Sequence, residues 1–293
     1  MKTKNYSKEN LIERAEILIE ALPFFSHYTN KTVVIKYGGN AMNDPKILHT
    51  ILQDVAALKI VGVNPVLVHG GGPEINASLE IYNIKSEFKN GLRVTSNAAM
   101  EVVQSTLCGK VNKNIVATLN TLGVKAVGLC GKDANLIECE KLVDKTGTDY
   151  GQVGNITKIN SSLINSLIKD YIPVIATVGV DKKGNAYNIN ADLAAGAIGG
   201  ALNAEKLVFL TDIDGILKDE KDPSSLIKQV TVKEIDALIK KGTIKGGMIP
   251  KVNACTFAIR SGIAQVLIAN GTTPHAILLE LFTKDGMGTL VKA

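Results

Sequence analysis

Apolar residues recur at helical spacing near the start of the chain: Leu11, Ala15, Leu18 and Leu22, with charged residues on the other face. This predicts an amphipathic helix ending at Leu22-Pro23. The helix precedes the first strand, so it reads either as an arm packed on another subunit or as a helix packed on its own domain. The pattern then changes. Thr32-Val-Val-Ile-Lys36 is a β-branched apolar run followed by Gly38-Gly39. Asp44-Pro45 supplies an N-cap and a first-turn proline for a helix reaching about Val61. A strand over 65–68 follows, then His69-Gly70-Gly71-Gly72-Pro73 and another helix. Strand, glycine-rich turn and helix in repetition point to a parallel α/β sheet.

The same reading continues downstream. A long helix is expected over 97–122, and strands near 126–129, 136–140 and 153–159, short and glycine-bounded enough for hairpins. A helix at 161–169 leads to a strand at 172–178, and 191–202 is a small-residue helix suited to close packing. The last third gives a strand at 206–210, a turn at 211–215, helices at 233–241 and 248–261, and a strand at 265–268. No linker, internal repeat or low-complexity tract interrupts the chain. The expected fold is α/β: an open, mainly parallel sheet sandwiched by helices, in two joined lobes. The expected division is a helical arm for oligomerisation (1–29), a first lobe (30–200) and a second (201–293).

Composition sharpens this reading in a few places. The chain has 293 residues, 45% of them hydrophobic, with 4% aromatics and no Trp, so the core must be aliphatic. The net charge of +5 is spread thinly, with no block of like charges to suggest a nucleic-acid tail. Of the 33 basic residues only Arg14, Arg93 and Arg260 are arginines. A chain that uses Lys for plain positive charge is expected to keep Arg where a planar, bidentate fork is needed. Cys108, Cys130, Cys139 and Cys255 form no Cys-x-x-Cys pair and no zinc-ligand spacing with His, which suits a reduced, cytoplasmic protein without a structural metal. Charged residues run through the first helix, unlike a secretory signal, and no apolar stretch reaches membrane-spanning length.

The chain carries neither the Gly-x4-Gly-Lys-Ser/Thr loop nor the Gly-x-Gly-x-x-Gly turn. It has instead two glycine-rich turns after strands, Lys36-Tyr-Gly38-Gly39-Asn40 and His69 to Pro73. Backbone N–H groups there can approach an anion without a Cβ in the way, and a following helix N-terminus adds positive potential. A plain tight βα turn explains either one alone; two together, with Lys36 at a strand end, favour a polyanion site at the carboxyl edge of the sheet. Arg93 reads as a surface residue or an anion ligand, Asp192 as a helix-start charge or a site residue, and Lys251 as a solvated or catalytic lysine.

Six ordered segments carry a resemblance: Val34 to Met42, Val68 to Pro73, Asn90-Gly-Leu-Arg-Val-Thr95, Asn188-Ile-Asn-Ala-Asp192, Leu210 to Gly215 and Gly246-Gly-Met-Ile-Pro-Lys251. From about Lys31 onward the sequence resembles the amino acid kinase family and, within it, the acetylglutamate kinases. The resemblance implies phosphorylation of the side-chain carboxylate of N-acetyl-L-glutamate by ATP, with Mg²⁺ carried by the nucleotide. It implies Lys36 and Lys251 as the lysines that stabilise the transferring phosphoryl group, with Asp192 orienting them. Gly71, Gly72, Arg93 and Asn188 match the residues that hold acetylglutamate. Gly38, Gly39, Thr211, Asp212, Gly215, Leu217, Thr243 and Lys245 match nucleotide contacts. Lys245 departs from the small polar residue of many relatives; it reads as an extra cation for the nucleotide or as a solvated side chain. Such a mechanism gives His69 no proton to move, so His69 is expected to be structural, Met42 and Met248 to pack, and Cys130 to be a buried thiol.

The first helix and the segment 275–290 resemble the arginine-inhibited, hexameric members of that group. This implies a homohexamer built as a trimer of dimers, with L-arginine bound near Glu280 and Gly288; an amphipathic helix plus an edge strand is the plainer reading. A PII-type signalling protein is a further candidate partner, and no nucleic acid or membrane is expected. Aspartate, glutamate 5-, carbamate and UMP kinases are the nearest rivals. A non-catalytic sensor would be expected to lose Lys36, Asp192 or Lys251, and a NAD-dependent oxidoreductase fails on the missing dinucleotide turn.

Overall fold

The computed structural model describes residues 7–38, 44–144, 147–219 and 221–293. Helix α1 (Lys8–Tyr28) leads into β1 (Thr32–Tyr37), α2 (Pro45–Ile60), β2 (Asn64–His69) and α3 (Gly72–Ile81). A hairpin, β3 (Glu87–Lys89) and β4 (Leu92–Val94), precedes α4 (Asn97–Gln104), the π-helical segment Ser105–Val111 and α5 (Asn112–Thr121). Then come β5 (Ala126–Cys130), β6 (Ile137–Val143), β7 (Asp149–Ile159), α6 (Ser162–Leu167), β8 (Ile172–Ala176), β9 (Val178–Val180) and β10 (Ala186–Asn188). The chain closes with α7 (Ala191–Ala201), β11 (Lys206–Thr211), β12 (Gln229–Thr231), α8 (Val232–Lys240), α9 (Met248–Arg260), β13 (Gln265–Asn270), α10 (Ala276–Phe282) and β14 (Thr289–Lys292).

Eight strands make one sheet in the order β12-β14-β13-β11-β1-β2-β8-β5. Neighbours run parallel except β13 and β14. The central strands are almost wholly buried, as helices on both faces require. Strand alternation divides their side chains. Val34, Val66 and Leu207 pack with Ala194 and Ile198 of α7 and Val252 of α9, whereas Val33, Leu67 and Val208 pack with Leu52 of α2, Ile115 of α5 and Ile277 of α10. Residue 200 falls at the end of α7, and the sheet crosses that point without a break because β1 pairs with β11. A second, closed sheet, β10-β7-β6-β9, sits beside the carboxyl end of β8.

Three elements differ from the sequence reading. Helix α1 runs through Pro23 to Tyr28, because its last turn packs on α10: Phe25 meets Phe282 edge-on at 4.7 Å, and Tyr28 is buried. Before that turn, Leu11, Ile12, Ile17, Leu18, Ile19 and Leu22 are each at least 50% exposed. The expected strand 172–178 breaks at Thr177, so that β8 stays in the main sheet while β9 joins the closed one. The expected helix 97–122 contains the π-helical segment, which shifts the register of everything after it.

Candidate active site

The site lies where parallel strands diverge at their carboxyl ends. Lys36 comes from the end of β1, and its Nζ is 2.8 Å from Asp192 Oδ1. Asp192 stands in the first turn of α7, whose N-cap Asn190 accepts from the N–H groups of Asp192 and Leu193. Lys251, in the first turn or so of α9, reaches Asp212 Oδ1 at 3.0 Å. Both lysines line a cleft of about 270 Å³ with Gly38 and Thr211. The expectation had Asp192 orienting both lysines; the structure gives Lys36 to Asp192 and Lys251 to Asp212. Asp212 follows β11 directly, on the α9 side of the cleft, and that placement makes it the nearer carboxylate. Gly39 and Met42 lie outside the described residues.

Beside this cleft is a smaller pocket of about 170 Å³, lined by Gly71, Gly72, Arg93, Asn188 and Asn190 among others. The two adjoin at Ala191-Asp192 and where Gly38 approaches the Gly70 N–H. Arg93 is only 7% exposed. Its guanidinium donates to Ser86 Oγ and, at 3.4 Å, to the Gly72 carbonyl, and it lies 4.6 Å from the centre of the Phe88 ring. No carboxylate pairs with it among the described residues, and burial pulls its pKa down. A buried cation held by hydroxyl, carbonyl and ring, and opening on a pocket, is suited to an incoming anion. Asn188 Nδ2 donates to Thr95 Oγ1, which donates to the Arg93 carbonyl, so the two substrate candidates are tied together. The N-terminus of α3 opens here as well, and Gly71 has no room for a side chain: a Cβ would meet Leu107 at 2.6 Å.

On the other side is a cleft of about 810 Å³ between segments 212–217 and 243–248. It gathers Asp212, Gly215, Leu217, Thr243 and Lys245. Thr211, which lines the two-lysine cleft, pins the start of the first segment: its Oγ1 accepts from the Ile213 N–H and donates to the Ile213 carbonyl. Gly246-Gly247 brings the N-terminus of α9 to the same wall, so amide dipoles and Lys251 face one space. Asp212 and Lys251 border both this cleft and the two-lysine cleft. Lys245 is exposed on the wall.

His69 is fully buried, bonded to the Gly70 carbonyl and Asn112, and burial holds its pKa down at about 4. It stays neutral at pH 7 and is hydrogen-bonded on both ring nitrogens, with no proton to move. Cys130 is half-buried beside Cys108 and packs on the apolar cluster around α3 and α4. Glu280 and Gly288 meet in a separate cavity of about 580 Å³ between the last turn of α1, Lys206 and Lys228. Glu280 accepts from the Met287 N–H at 2.6 Å, and burial pushes its carboxyl pKa up.

Sequence reasoning missed Ser86, Phe88 and Asn190. Asn190 had a readable signal, an Asn immediately before a helical run. Ser86 and Phe88 had none: only the antiparallel register that sets Phe88 opposite Arg93 brings them to the guanidinium.

Residues 31–270 match the model of the amino acid kinase family. An acetylglutamate kinase of Heliobacterium modesticaldum is 52% identical over 289 residues, covering 96% of this chain and 98% of that one. An acetylglutamate kinase of Methanocaldococcus jannaschii is 48% identical over 290 residues, covering 96% and 97%. Among solved structures, N-acetylglutamate synthase from Neisseria gonorrhoeae, complexed with coenzyme A and N-acetyl-glutamate, superposes with a TM-score of 0.83 at 24% identity, over 95% of this chain and 63% of that one. That likeness is one of fold.

Proposed function

The chain belongs to the amino acid kinase family, and from that premise we propose that it transfers the γ-phosphoryl group of ATP to the side-chain carboxylate of N-acetyl-L-glutamate, a step of arginine biosynthesis. The product is N-acetyl-L-glutamyl 5-phosphate. The observation that carries the reading is Arg93: a buried guanidinium, unpaired with any carboxylate among the described residues, in a pocket adjoining the two-lysine cleft.

The acceptor carboxylate is already ionised at pH 7, so the reaction needs no general base. Its difficulty is the approach of one anion to another, which positioning and positive charge must overcome. Arg93 takes the α-carboxylate in a bidentate fork, with Asn188 beside it. The Gly71 and Gly72 amides and the N-terminus of α3 face the reacting end. Lys36 and Lys251 flank the phosphoryl group, and Asp192 and Asp212 hold their ammonium groups in place. Gly215, Leu217 and Thr243 form the adenosine side of the larger cleft, with Lys245 at its rim, and Thr211 and Gly38 line the adjoining two-lysine cleft on the phosphate side. Among the described residues no three His, Cys, Asp or Glu side chains converge on a metal position. Mg²⁺ is assigned to the nucleotide's own phosphates, whose charge it would neutralise. In this reading residues 30–200 hold the acceptor, and 201–293 the nucleotide.

ADP release tests the acceptor. N-acetyl-L-glutamate is expected to be turned over with a kcat/KM at least about 10² above free glutamate, aspartate or carbamate, because a site built around an acyl amide leaves polar groups unpaired without it. Equal turnover of free glutamate would overturn the assignment.

Regulation and assembly extend the proposal. The exposed apolar row on α1 suits a second copy of the chain, in a hexamer made as a trimer of dimers. The cavity holding Glu280, Lys206 and Lys228 offers charges opposite to those of free L-arginine, which we assign as an inhibitor bound against Glu280 and Gly288. Removing residues 1–25 is expected to leave an active dimer that no longer responds to arginine; undiminished arginine inhibition in that variant would contradict the assignment. A PII-type protein is a further candidate regulator. No helix among the described residues is long and apolar enough to cross a membrane, and a cytoplasmic location is proposed.

A further inference from the structure

The π-helical segment Ser105–Val111 ends at Asn112, which is 1% exposed and points into the core toward the carboxyl ends of β2 and β8. Asn112 can enter only because β5 carries Gly128: a Cβ there would lie 1.9 Å from Asn112 Oδ1. The orientation of the amide is fixed by its partners. Lys113 Nζ, an obligate donor, is 3.0 Å from Asn112 Oδ1, and the Val174 carbonyl, an obligate acceptor, is 2.9 Å from Asn112 Nδ2. Nδ2 is therefore the donor atom, and it lies 3.0 Å from His69 Nε2. That nitrogen must accept, so the proton of the neutral ring sits on Nδ1, which is 2.8 Å from the Gly70 carbonyl. A trans peptide points the N–H of the next residue away from that carbonyl. With the Gly70 oxygen held toward His69, the Gly71 N–H is turned to the opposite side, and Gly71 lines the pocket beside Arg93.

We propose that Asn112 and His69 form a positioning relay for phosphoryl transfer: Asn112 fixes the Nδ1–H tautomer of His69, and that N–H locks the Gly70–Gly71 peptide with its amide facing the acceptor carboxylate. The identity of the acceptor rests on the proposed function; the relay itself rests on the hydrogen bonds. Its parts come from β2, the end of the π-helical segment and β5, which share no motif. The turn is supported from two further sides: Thr177 Oγ1 donates to the His69 carbonyl, and Leu107, on the same π-helical segment, packs against Gly71. Lys113 is the charged neighbour of His69, and burial together with that charge keeps the ring neutral.

Two substitutions at one position separate positioning from simple packing. In His69→Asn the side-chain N–H can stand where Nδ1–H stood, so the bond to Gly70 is kept. His69→Gln places its amide near the Nε2 position and keeps the contact with Asn112, but loses the bond to Gly70. The relay predicts that His69→Gln lowers kcat/KM for N-acetyl-L-glutamate by up to about 10²-fold, the scale of a 1 Å misplacement, with KM for ATP unchanged, while His69→Asn stays close to wild type. Asn112→Asp adds a pH signature. At high pH its carboxylate draws the ring proton to Nε2 and leaves Nδ1 bare against the Gly70 carbonyl; at low pH a doubly protonated ring serves both partners. KM for N-acetyl-L-glutamate is then expected to rise with pH in Asn112→Asp and to stay flat in the wild type. The tautomer can also be read without turnover, by ¹⁵N NMR of labelled histidine in the intact protein, which has four His residues. An Nε2–H tautomer at His69, or equal losses in His69→Asn and His69→Gln, would overturn the relay. A wild-type protein that shows the Nδ1–H tautomer but does not phosphorylate N-acetyl-L-glutamate would overturn the acceptor and leave the relay standing.

Discussion

Replacing Lys36 by Met is expected to lower kcat by on the order of 10²–10³-fold, with KM for N-acetyl-L-glutamate little changed. Lys36 is mostly buried at the end of β1, with Asp192 at 2.8 Å, so its ammonium group is fixed before any phosphate arrives. A charge fixed in that way contributes most where negative charge is spread over the transferring group, and less to ground-state binding. Methionine keeps most of the length and the apolar stem of the side chain and removes the ammonium group with its charge and N–H donors. Lys36→Arg is expected to recover little, because a planar fork does not replace a compact point charge. Steady-state kinetics with both substrates varied makes the distinction. A kcat loss of less than about tenfold would mean that Lys36 does no more than pair with Asp192.

Arg93→Ala is expected to act on the other kinetic parameter, raising KM for N-acetyl-L-glutamate by about 10²-fold, which corresponds to about 3 kcal/mol. The fork that would grip the α-carboxylate disappears, while the lysines assigned to the phosphoryl group remain. Arg93→Lys is expected to restore only a small part of the loss. The same substitution makes a second prediction of opposite sign. Arg93 is a buried cation with no carboxylate partner among the described residues, so it is a burden on the fold. Loss of the ring and aliphatic packing against Phe88 offsets part of that relief. The thermal midpoint of Arg93→Ala is therefore expected to stay level or rise while affinity falls, a separation of stability from function usual at binding sites. A collapse of the midpoint with KM unchanged would make Arg93 a structural residue.

Much of this site could be read from the sequence because it is built from strand ends. Lys36, Thr211 and the turn at 69–73 each follow a short apolar run that can only be a buried strand, and the α/β rule then places all of them on one edge. Asp44-Pro45 announced α2, and Asp44 does cap it. What could not be read depends on register across distant segments. Phe88 reaches Arg93 through a hairpin of two three-residue strands, of which β3 is wholly exposed and neither is long enough to show a clear alternation. The π-helical segment leaves no mark in the apolar spacing, yet it decides that Asn112 points inward. Pro23 reads as a helix end in the sequence; in the structure the helix continues through it to Tyr28, with the rings of Phe25 and Tyr28 packed against Phe282. Asp212 reads in the sequence only as a nucleotide contact, and its pairing with Lys251 depends on how α9 packs on α7 and β13, which no local signal reports.

If this chain makes an acyl phosphate, as proposed, the product can be trapped. The protein, incubated with ATP, Mg²⁺, N-acetyl-L-glutamate and hydroxylamine, is expected to yield one hydroxamate for each ADP released, with the Lys36→Met variant yielding almost none. ADP release without hydroxamate, or hydroxamate formed equally from free glutamate, would contradict the assignment of Arg93 and the two lysines to the two ends of one acylated substrate.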